Sequence, residues 1–400
     1  MDIEQVGRIF TFKESSVIIR VSRIKEQPEK ITGWVTVEAS SKGTTVKLAN
    51  DVLNLSSLQA RNRMAKILTP RYDRIKWDKT LQEISDLILE RLLQGTPALE
   101  IDTIGEIKPV KYLLYPLIQE EVPTVLYGDG GSLKSTLARI ISTCIRLPWT
   151  DNPFQFITKD KPLKTLFLDW ETNEHTFKRG LQLLKNGMGL PEYSLTYLHC
   201  DRPLGEDLEN IMQIIIDNDI KFIVVDSLSL ALGGDLSKQE LAGNIFRDLR
   251  QLQITSLLLT HITKSEDKHP TPFGSTFYSN HARSVIYVKK TQEVGGNEIS
   301  VGLYHKKANE TGLFHPIGFR ALFDKDKLTF SSIDVKSIPE LSAGLSLKEQ
   351  IKELLKSGAM NTLDIAEELG ANRESISVIL YRNKKMFTRV GKEWGLLSDE

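Results

Sequence analysis

Four hundred residues with 52 Lys plus Arg against 52 Asp plus Glu give a chain of no net charge, which excludes a polyanion binder that works through its whole surface. Only two cysteines, Cys144 and Cys200, are present, with no zinc spacing and no disulfide framework, the usage expected of a reducing cytoplasm. The first residues are acidic and polar rather than leader-like, and no apolar run reaches the ~18 residues of a membrane span, so a cytoplasmic, membrane-free protein of about two to four domains is expected.

In chain order, residues 7–50 alternate apolar and polar in short bursts and predict a small β module over 1–60. Phe10, Phe12 and Trp34 are expected to form its core, and it reads as a docking or OB-like element. A helical period follows (Leu81, Ile84, Leu87, Ile88, Leu92), then breakers at Gly95, Pro97 and Pro109, so 61–120 reads as a helical segment and linker. From residue 122 onward, strands at 122–127, 165–169, 195–199, 222–226 and 256–260 alternate with helices at 173–185, 207–216 and 238–252. That alternation predicts an α/β domain over 121–335, with a mostly parallel sheet covered on both faces. Strands at 284–288, 299–305, 317–323 and 328–331 follow without helices and predict an antiparallel extension at one edge. A polar linker at 332–345 precedes a last small domain, 345–400.

The segment that carries most chemistry is Gly128-Asp129-Gly130-Gly131-Ser132-Leu133-Lys134-Ser135-Thr136. It joins an apolar strand to a helix marked by Leu137, Ile140, Ile141 and Ile145, the setting in which a P-loop works. Glycines let backbone N–H groups curl around a phosphate, and the helix N-terminus adds its positive end. Lys134 is expected to reach the β- and γ-phosphates and Ser135 to hold Mg²⁺. Leu133 stands where the pattern has its second glycine; an ordinary αR or β backbone with the side chain turned away is expected there. The plainer alternative is a Gly-rich turn with an exposed lysine.

Further polar residues end apolar strands. Asp226 closes 222–226 as a magnesium carboxylate would, or else caps the next turn. Asp169 and Glu171 follow a second strand and are expected to project the same way. Glu171, beyond the strand end, is preferred for polarising water, the alternative being a charge at a helix N-terminus. His261 ends the next strand as a sensor of the γ-phosphate or as a hydrogen-bonded loop histidine. Arg283 precedes the strand at 284–288 and is the first candidate for a transition-state arginine, with Lys289 and Lys290 as helpers. The alternative is a surface ion pair of little worth.

Taken together, Gly128–Thr136, Leu168-Asp169-Trp170-Glu171, Val225-Asp226, Thr260-His261 and Asn280-His281-Ala282-Arg283 resemble the RecA-like hexameric ATPases. The similarity spans about half the chain and is nearest the RepA-type plasmid replicative helicases; the DnaB and RadA families are more distant. Lys306, Asn309 and Gly318-Phe319-Arg320 also look like that branch. The resemblance implies a RecA-like core binding ATP and Mg²⁺: Lys134 on phosphate, Ser135 and Asp226 on the metal, Glu171 on water, His261 coupling nucleotide to DNA, and Arg283 acting in a neighbouring copy of a hexamer. It also implies channel loops at 233–238 and 264–273, where Lys238, Lys264 and Lys268 are opposed by Asp235, Glu266 and Asp267.

Residues 346–397 read as a winged helix with 372–386 in the recognition-helix position and a wing turning at Gly391. Arg373, Arg382, Lys384, Lys385, Arg389 and Lys392 face a single acid, Glu374, which makes this a candidate DNA surface; protein contact is the alternative. The expected function is an ATP- and Mg²⁺-dependent DNA motor, with a non-unwinding repair ATPase, a nucleotide-gated scaffold and a KaiC-like ring as other readings.

Overall fold

A computed structural model describes residues 2–41, 44–94, 98–234, 239–262 and 276–397. The strands and helices begin with β1 (Asp2–Val6), β2 (Ile9–Glu14), β3 (Val17–Gln27), β4 (Lys30–Ser41), β5 (Thr44–Asn54), α1 (Leu58–Leu68) and α2 (Trp77–Gln94). Then come β6 (Tyr112–Tyr115), β7 (Ile118–Gln119), β8 (Pro123–Gly128), α3 (Lys134–Arg146), β9 (Ile157–Thr158), β10 (Lys164–Asp169), α4 (Glu174–Met188), β11 (Thr196–His199), α5 (Leu208–Asn218), β12 (Ile220–Asp226), α6 (Leu228–Ala231) and α7 (Gln239–Leu252). β13 (Thr255–His261), α8 (Thr276–His281), β14 (Ser284–Thr291), β15 (Glu298–Ala308), β16 (Ile317–Phe323), β17 (Leu328–Ile333) and α9 (Pro339–Ser342) follow. The chain closes with α10 (Leu347–Leu354), β18 (Met360–Asn361), α11 (Thr362–Glu368), α12 (Arg373–Arg382), β19 (Phe387–Val390) and β20 (Glu393–Leu396).

Residues 1–109, 202–221 and 243–254 make one unit; 110–201, 222–242 and 255–400 make the other. In the first, β1 to β5 pair antiparallel in chain order, an up-and-down meander rather than the crossed strand order of an OB barrel. Val17, Ile19 and Val21 alternate inward along β3 and meet Phe10, Phe12, Val35 and Val37. Leu68 of α1 and Trp77, Leu81, Ile84 and Ile88 of α2 close this core. Trp34 departs from expectation. Gly33, Val35 and Val37 take the inward positions of β4, so period two turns Trp34 outward. Its Nε1 donates to Asn50 Oδ1 at 2.6 Å, and the Arg23 guanidinium lies 5.9 Å from its ring. The β1–β2 turn needs Gly7: its φ is +55°, and an added Cβ would meet Met212 Cε of α5 at 2.5 Å.

The second unit holds a nine-stranded sheet in the order β11-β10-β12-β13-β8-β14-β15-β16-β17. The β10–β11, β12–β13, β13–β8 and β8–β14 pairs are parallel. The β14–β15, β15–β16 and β16–β17 pairs are antiparallel, so the predicted extension at one edge is present. The central parallel strands β10, β12, β13 and β8 are apolar through their middles, as strands covered on both faces must be. Ile140, Ile141 and Ile145 of α3 pack with Leu126 and Leu257 in one core. α4 starts where the Asn173 side chain accepts from the Thr176 N–H and stops at Gly189 with φ +64°.

Residues 347–396 run helix, strand, helix, helix, strand, strand, with a small sheet ordered β18-β20-β19. Ile351, Ile365, Ile376, Leu380, Phe387 and Trp394 form its own core. Ser346 and Glu349 close a capping box at the start of α10. Lys306 Nζ donates to the Gly344 carbonyl at 2.9 Å, and Lys336 pairs with Glu353 at 3.0 Å. Among the described residues no helix is long and apolar enough to cross a membrane.

One contact sets how α4 lies on β17. A Cβ on Gly187 would sit 2.1 Å from the Leu328 carbonyl oxygen, and backbone cannot yield as a flexible side chain can. Gly187→Ala should therefore cost about 2 kcal/mol or more of stability, read as a lower denaturation midpoint at an unchanged m-value. A midpoint within error of wild type would refute this account of the α4–β17 packing.

Candidate nucleotide-binding site

The carboxyl ends of four parallel strands converge on one cleft of about 230 Å³, lined by Gly131–Thr136, Glu171, Asp226, Ser227 and His261. Register explains the convergence. His261 pairs with Gly128 across β13–β8, Val288 pairs with Gly128 across β14–β8, and the Trp170 N–H donates to the Asp226 carbonyl at 2.7 Å. Gly128 is buried where β8 ends; an added Cβ would meet the Val288 carbonyl at 2.4 Å. Asp129 and Gly130 are exposed on the rim, and Gly131 turns the chain with φ +67°.

Leu133 corrects the sequence expectation. Its backbone is left-handed, φ 64° and ψ 21°, the conformation of the glycine it replaces. A leucine there costs about 1 kcal/mol relative to an ordinary backbone. Its side chain is half-buried against the core under the sheet, which offsets part of that. Leu133 is also the N-cap of α3 and supplies no side-chain cap. The first N–H groups of α3 are thus left for an anion at the positive helix end.

Lys134 is 8 % exposed and folds back on its own loop. Its Nζ donates to the Gly128 carbonyl at 2.9 Å and the Asp129 carbonyl at 2.8 Å. Burial lowers its pKa, against the attraction of Asp226, Glu171 and Asp129. These are bonds that a phosphate oxygen would exchange, since the ammonium gains a full counter-charge by moving to it.

Asp226 is buried at the end of β12, and the peptide that follows it is cis. Burial pushes its carboxyl up to about 7; a hydrogen bond from the Ser135 hydroxyl and the Arg139 guanidinium pull the other way, while Glu171 and Asp169 add to the rise. A hard carboxylate and a hydroxyl already in contact match the oxygen donors that Mg²⁺ takes together with water and phosphate. Ser135 and Asp226 would hold that ion, and its charge would screen the phosphates.

Asp169 and Glu171 do not project alike. Asp169 Oδ1 accepts the N–H groups of Glu171 and Thr172, each at 2.9 Å, and Oδ2 accepts the Thr172 hydroxyl at 2.5 Å and Tyr197 OH at 3.2 Å. The strand has ended, so period two no longer applies, and Asp169 is spent bracing the turn. Glu171 is left lining the cleft, with His261 Nε2 3.8 Å from its Oε1. Arg139, which sequence reasoning passed over, is half-buried beside Asp226 and Asp169, and burial lowers its pKa. The signal was a lone cation inside the apolar run 137–141 of α3.

Arg283 lies elsewhere. Ser284 pairs with Thr124 and Val288 with Gly128, so the exposed Arg283 sits at the amino edge, about 17 Å along the strands from the P-loop at 3.3 Å per residue. Lys289 and Lys290 occupy the near end of β14. Lys290 Nζ lies 3.1 Å from where a Cβ on Gly131 would be, and burial lowers the pKa of Lys289 while Asp129 raises it.

Lys238 and Lys264, with Asp235, Glu266, Asp267 and Lys268, fall outside the described residues. Arg373, Arg382, Lys384, Lys385 and Lys392 are exposed on α12 and the segments after it. Arg389 donates to Tyr381 OH at 2.9 Å, and Lys384 stands 5.9 Å from the Tyr381 ring.

A phosphate cradle at the carboxyl edge of a parallel sheet, with a buried acid two strands over and an antiparallel flank, defines a RecA-like P-loop fold. Residues 90–267 match the family model described as AAA domain. Among solved structures the chain is similar to the KaiC-like protein PH0186 from Pyrococcus horikoshii OT3, at 16 % identity over 56 % of this chain and 99 % of that one, with a TM-score of 0.39. No curated protein matches the chain.

Two tests follow from this geometry. Leu133→Gly should keep nucleotide affinity within about threefold, whereas Leu133→Val, β-branched in a left-handed position, should lose about 1–2 kcal/mol of stability and bind more weakly. Equal binding by both variants in a fluorescent-nucleotide titration would contradict this. Asp226 holds its proton in the fold above its ordinary 3.8, up to about 7. The folded state thus binds more protons than the unfolded one over that window, and stability should fall as pH rises through it. Asp226→Asn should flatten that part of the denaturation profile; a slope identical to wild type would exclude Asp226 as its source.

Proposed function

We propose that this protein is an ATP- and Mg²⁺-dependent DNA motor that assembles as a ring, a helicase of the RepA type. The observation that carries the ATPase part is the single cleft into which Lys134, Ser135, Asp226, Glu171 and His261 converge. Lys134 neutralises the phosphates, Ser135 and Asp226 take the metal, and Glu171, held out by the Asp169 brace, orients water. His261 beside Glu171 reports the state of the γ-phosphate to the segment after β13.

Arg283 cannot reach the phosphates of its own chain across the length of β8 and β14. Its exposure at the opposite edge supports a role on the nucleotide of a neighbouring copy. The C-terminal elements, read as a winged helix with a cationic rim, support duplex contact. Leu133 bears on the rival scaffold reading. Because it keeps the glycine conformation, the departure from the motif gives no reason to expect a cradle that binds without turnover.

The experiment is ATP hydrolysis by the purified chain with Mg²⁺, without DNA and with single- or double-stranded DNA, followed by strand displacement. Hydrolysis raised by single strands, with displacement, is the expected result; hydrolysis without displacement would favour the repair-type ATPase. Lys134→Ala should lose nucleotide binding. Arg283→Ala should bind ATP yet lose about 10³-fold in turnover. A mixture of the two variants should recover part of the activity, since intact P-loops then meet intact arginines. A dead mixture would sink the in-trans assignment.

A further inference from the structure

β14 outruns the strand beside it. Val288 lies level with Gly128, the last residue of β8, while β14 continues to Thr291. Lys289, Lys290 and Thr291 therefore overhang the loop that leaves β8. Their other side stays paired, Lys289 with Gly302 and Lys290 with Val301 of β15, so the overhang is a fixed shelf rather than a free end. Successive residues of a strand point to opposite faces, and the two lysines divide accordingly. Lys289 has Asp129 and Glu340 as its acidic surroundings. Lys290 has the P-loop glycine: its Nζ lies 3.1 Å from where a Cβ on Gly131 would be, and its charge acts on Lys134.

Gly131 makes space for that ammonium. A side chain there would meet it, besides suffering the strain of φ +67°. Lys290 is half-buried and makes no hydrogen bond or ion pair among the described residues. Lys134 differs, since it holds the carbonyls of Gly128 and Asp129. Two ammonium groups brought to one loop repel each other, and burial strips water from both; an anion between them reverses that energy. The sheet order decides which part of the anion Lys290 meets. Asp226, Glu171 and His261 come from β12, β13 and the end of β10, all on one side of β8, whereas β14 lies on the other. The acids, with metal and water, thus occupy one flank of the phosphate chain, and Lys290 stands on the opposite flank beside the rim of the loop.

We propose that Lys290 binds the terminal phosphate of the nucleotide held by its own chain, and so makes the cleft prefer a nucleoside triphosphate to a diphosphate. The assignment rests on the nucleotide reading of the cleft and adds to it the group that tells one nucleotide from the other. A diphosphate fills the cradle at Lys134 and the first turn of α3 and leaves Lys290 without a partner; the third phosphate supplies one through a charge-assisted bond. Preference then arises as a difference between two affinities rather than from the cradle itself.

The test titrates the full chain, with Mg²⁺, with fluorescent ADP and with a fluorescent non-hydrolysable ATP analogue. A wild-type chain that binds neither overturns the nucleotide reading and this assignment with it; one that binds both equally well overturns the assignment alone. Lys290→Met removes the charge and keeps most of the side-chain length. It should bind the analogue at least about tenfold more weakly and ADP within about threefold of wild type, while Lys290→Arg should keep most of the preference. A lysine that only braced the loop would weaken both nucleotides alike and lower the denaturation midpoint, so an equal loss, or none, overturns the assignment. Mixing Lys134→Ala with Lys290→Met separates the chain's own cleft from a neighbour's. With Lys290 serving its own chain, the mixture binds the analogue no better than its two components measured apart; recovered binding would place Lys290 on a neighbouring nucleotide and refute the proposal.

Discussion

Everything in the larger unit depends on how β8 stops. Gly128 is pressed so closely against the Val288 carbonyl that no side chain fits there, and the chain must leave the sheet at that point. Three residues later Gly131 turns it, and Leu133 sets the left-handed step that starts α3 without a side-chain cap. The result is a helix whose first N–H groups face the strand ends rather than their own capping residue. An anion is the partner that satisfies them. The neighbouring strands then have only to end in the right side chains, and parallel pairing brings those ends level.

The electrostatics of the cleft follow from burial more than from charge count. Asp226 and Asp169 are nearly inaccessible, and two carboxylates so placed would repel if both stood free. The fold deals with them differently. Asp169 is saturated by two backbone N–H groups and two hydroxyls, a bracket that also fixes where Glu171 points. Asp226 has one hydroxyl and the nearby Arg139, too little for an ionised group, and it keeps a raised proton affinity. Lys134 meanwhile is bound to carbonyls that a phosphate can replace. The site is thus under-neutralised at the acid and provisionally satisfied at the base, the two imbalances that a metal–phosphate pair would cancel together.

Most of this was legible in the sequence because the signals are local. An apolar run ending in a carboxylate or histidine marks a strand end at a carboxyl edge, and four such runs, with the one that ends in the Gly-rich turn, mark the sheet. What escaped was set by partners distant in sequence. Asp169 looks like a second site acid until Tyr197 and Thr172 are placed around it. Arg139 looks like a surface cation until α3 is laid against the ends of β10 and β12. Leu133 looks like a broken motif because a backbone angle is not written in residue type, and nothing in the local pattern tells how much apolar contact will offset an unfavourable φ. Trp34 was misplaced for a simpler reason: whether a strand position faces in or out depends on register, and a single aromatic in an alternating run fits either face.

The two edges of the sheet divide the work. The carboxyl edge gathers Lys134, Ser135, Glu171, Asp226 and His261 around one cleft. The amino edge carries the exposed Arg283 and, beside it, a groove with an aromatic floor. Arg283 is a strand length from its own P-loop, and the groove stands open. An arginine that acts on a neighbour stabilises a transition state only if that neighbour is held in register, and a flexible arginine alone cannot supply that register. The two ends of the sheet are thus unlike in kind: one gathers acids, hydroxyls and an ammonium around a cleft, and the other presents an exposed guanidinium to solvent.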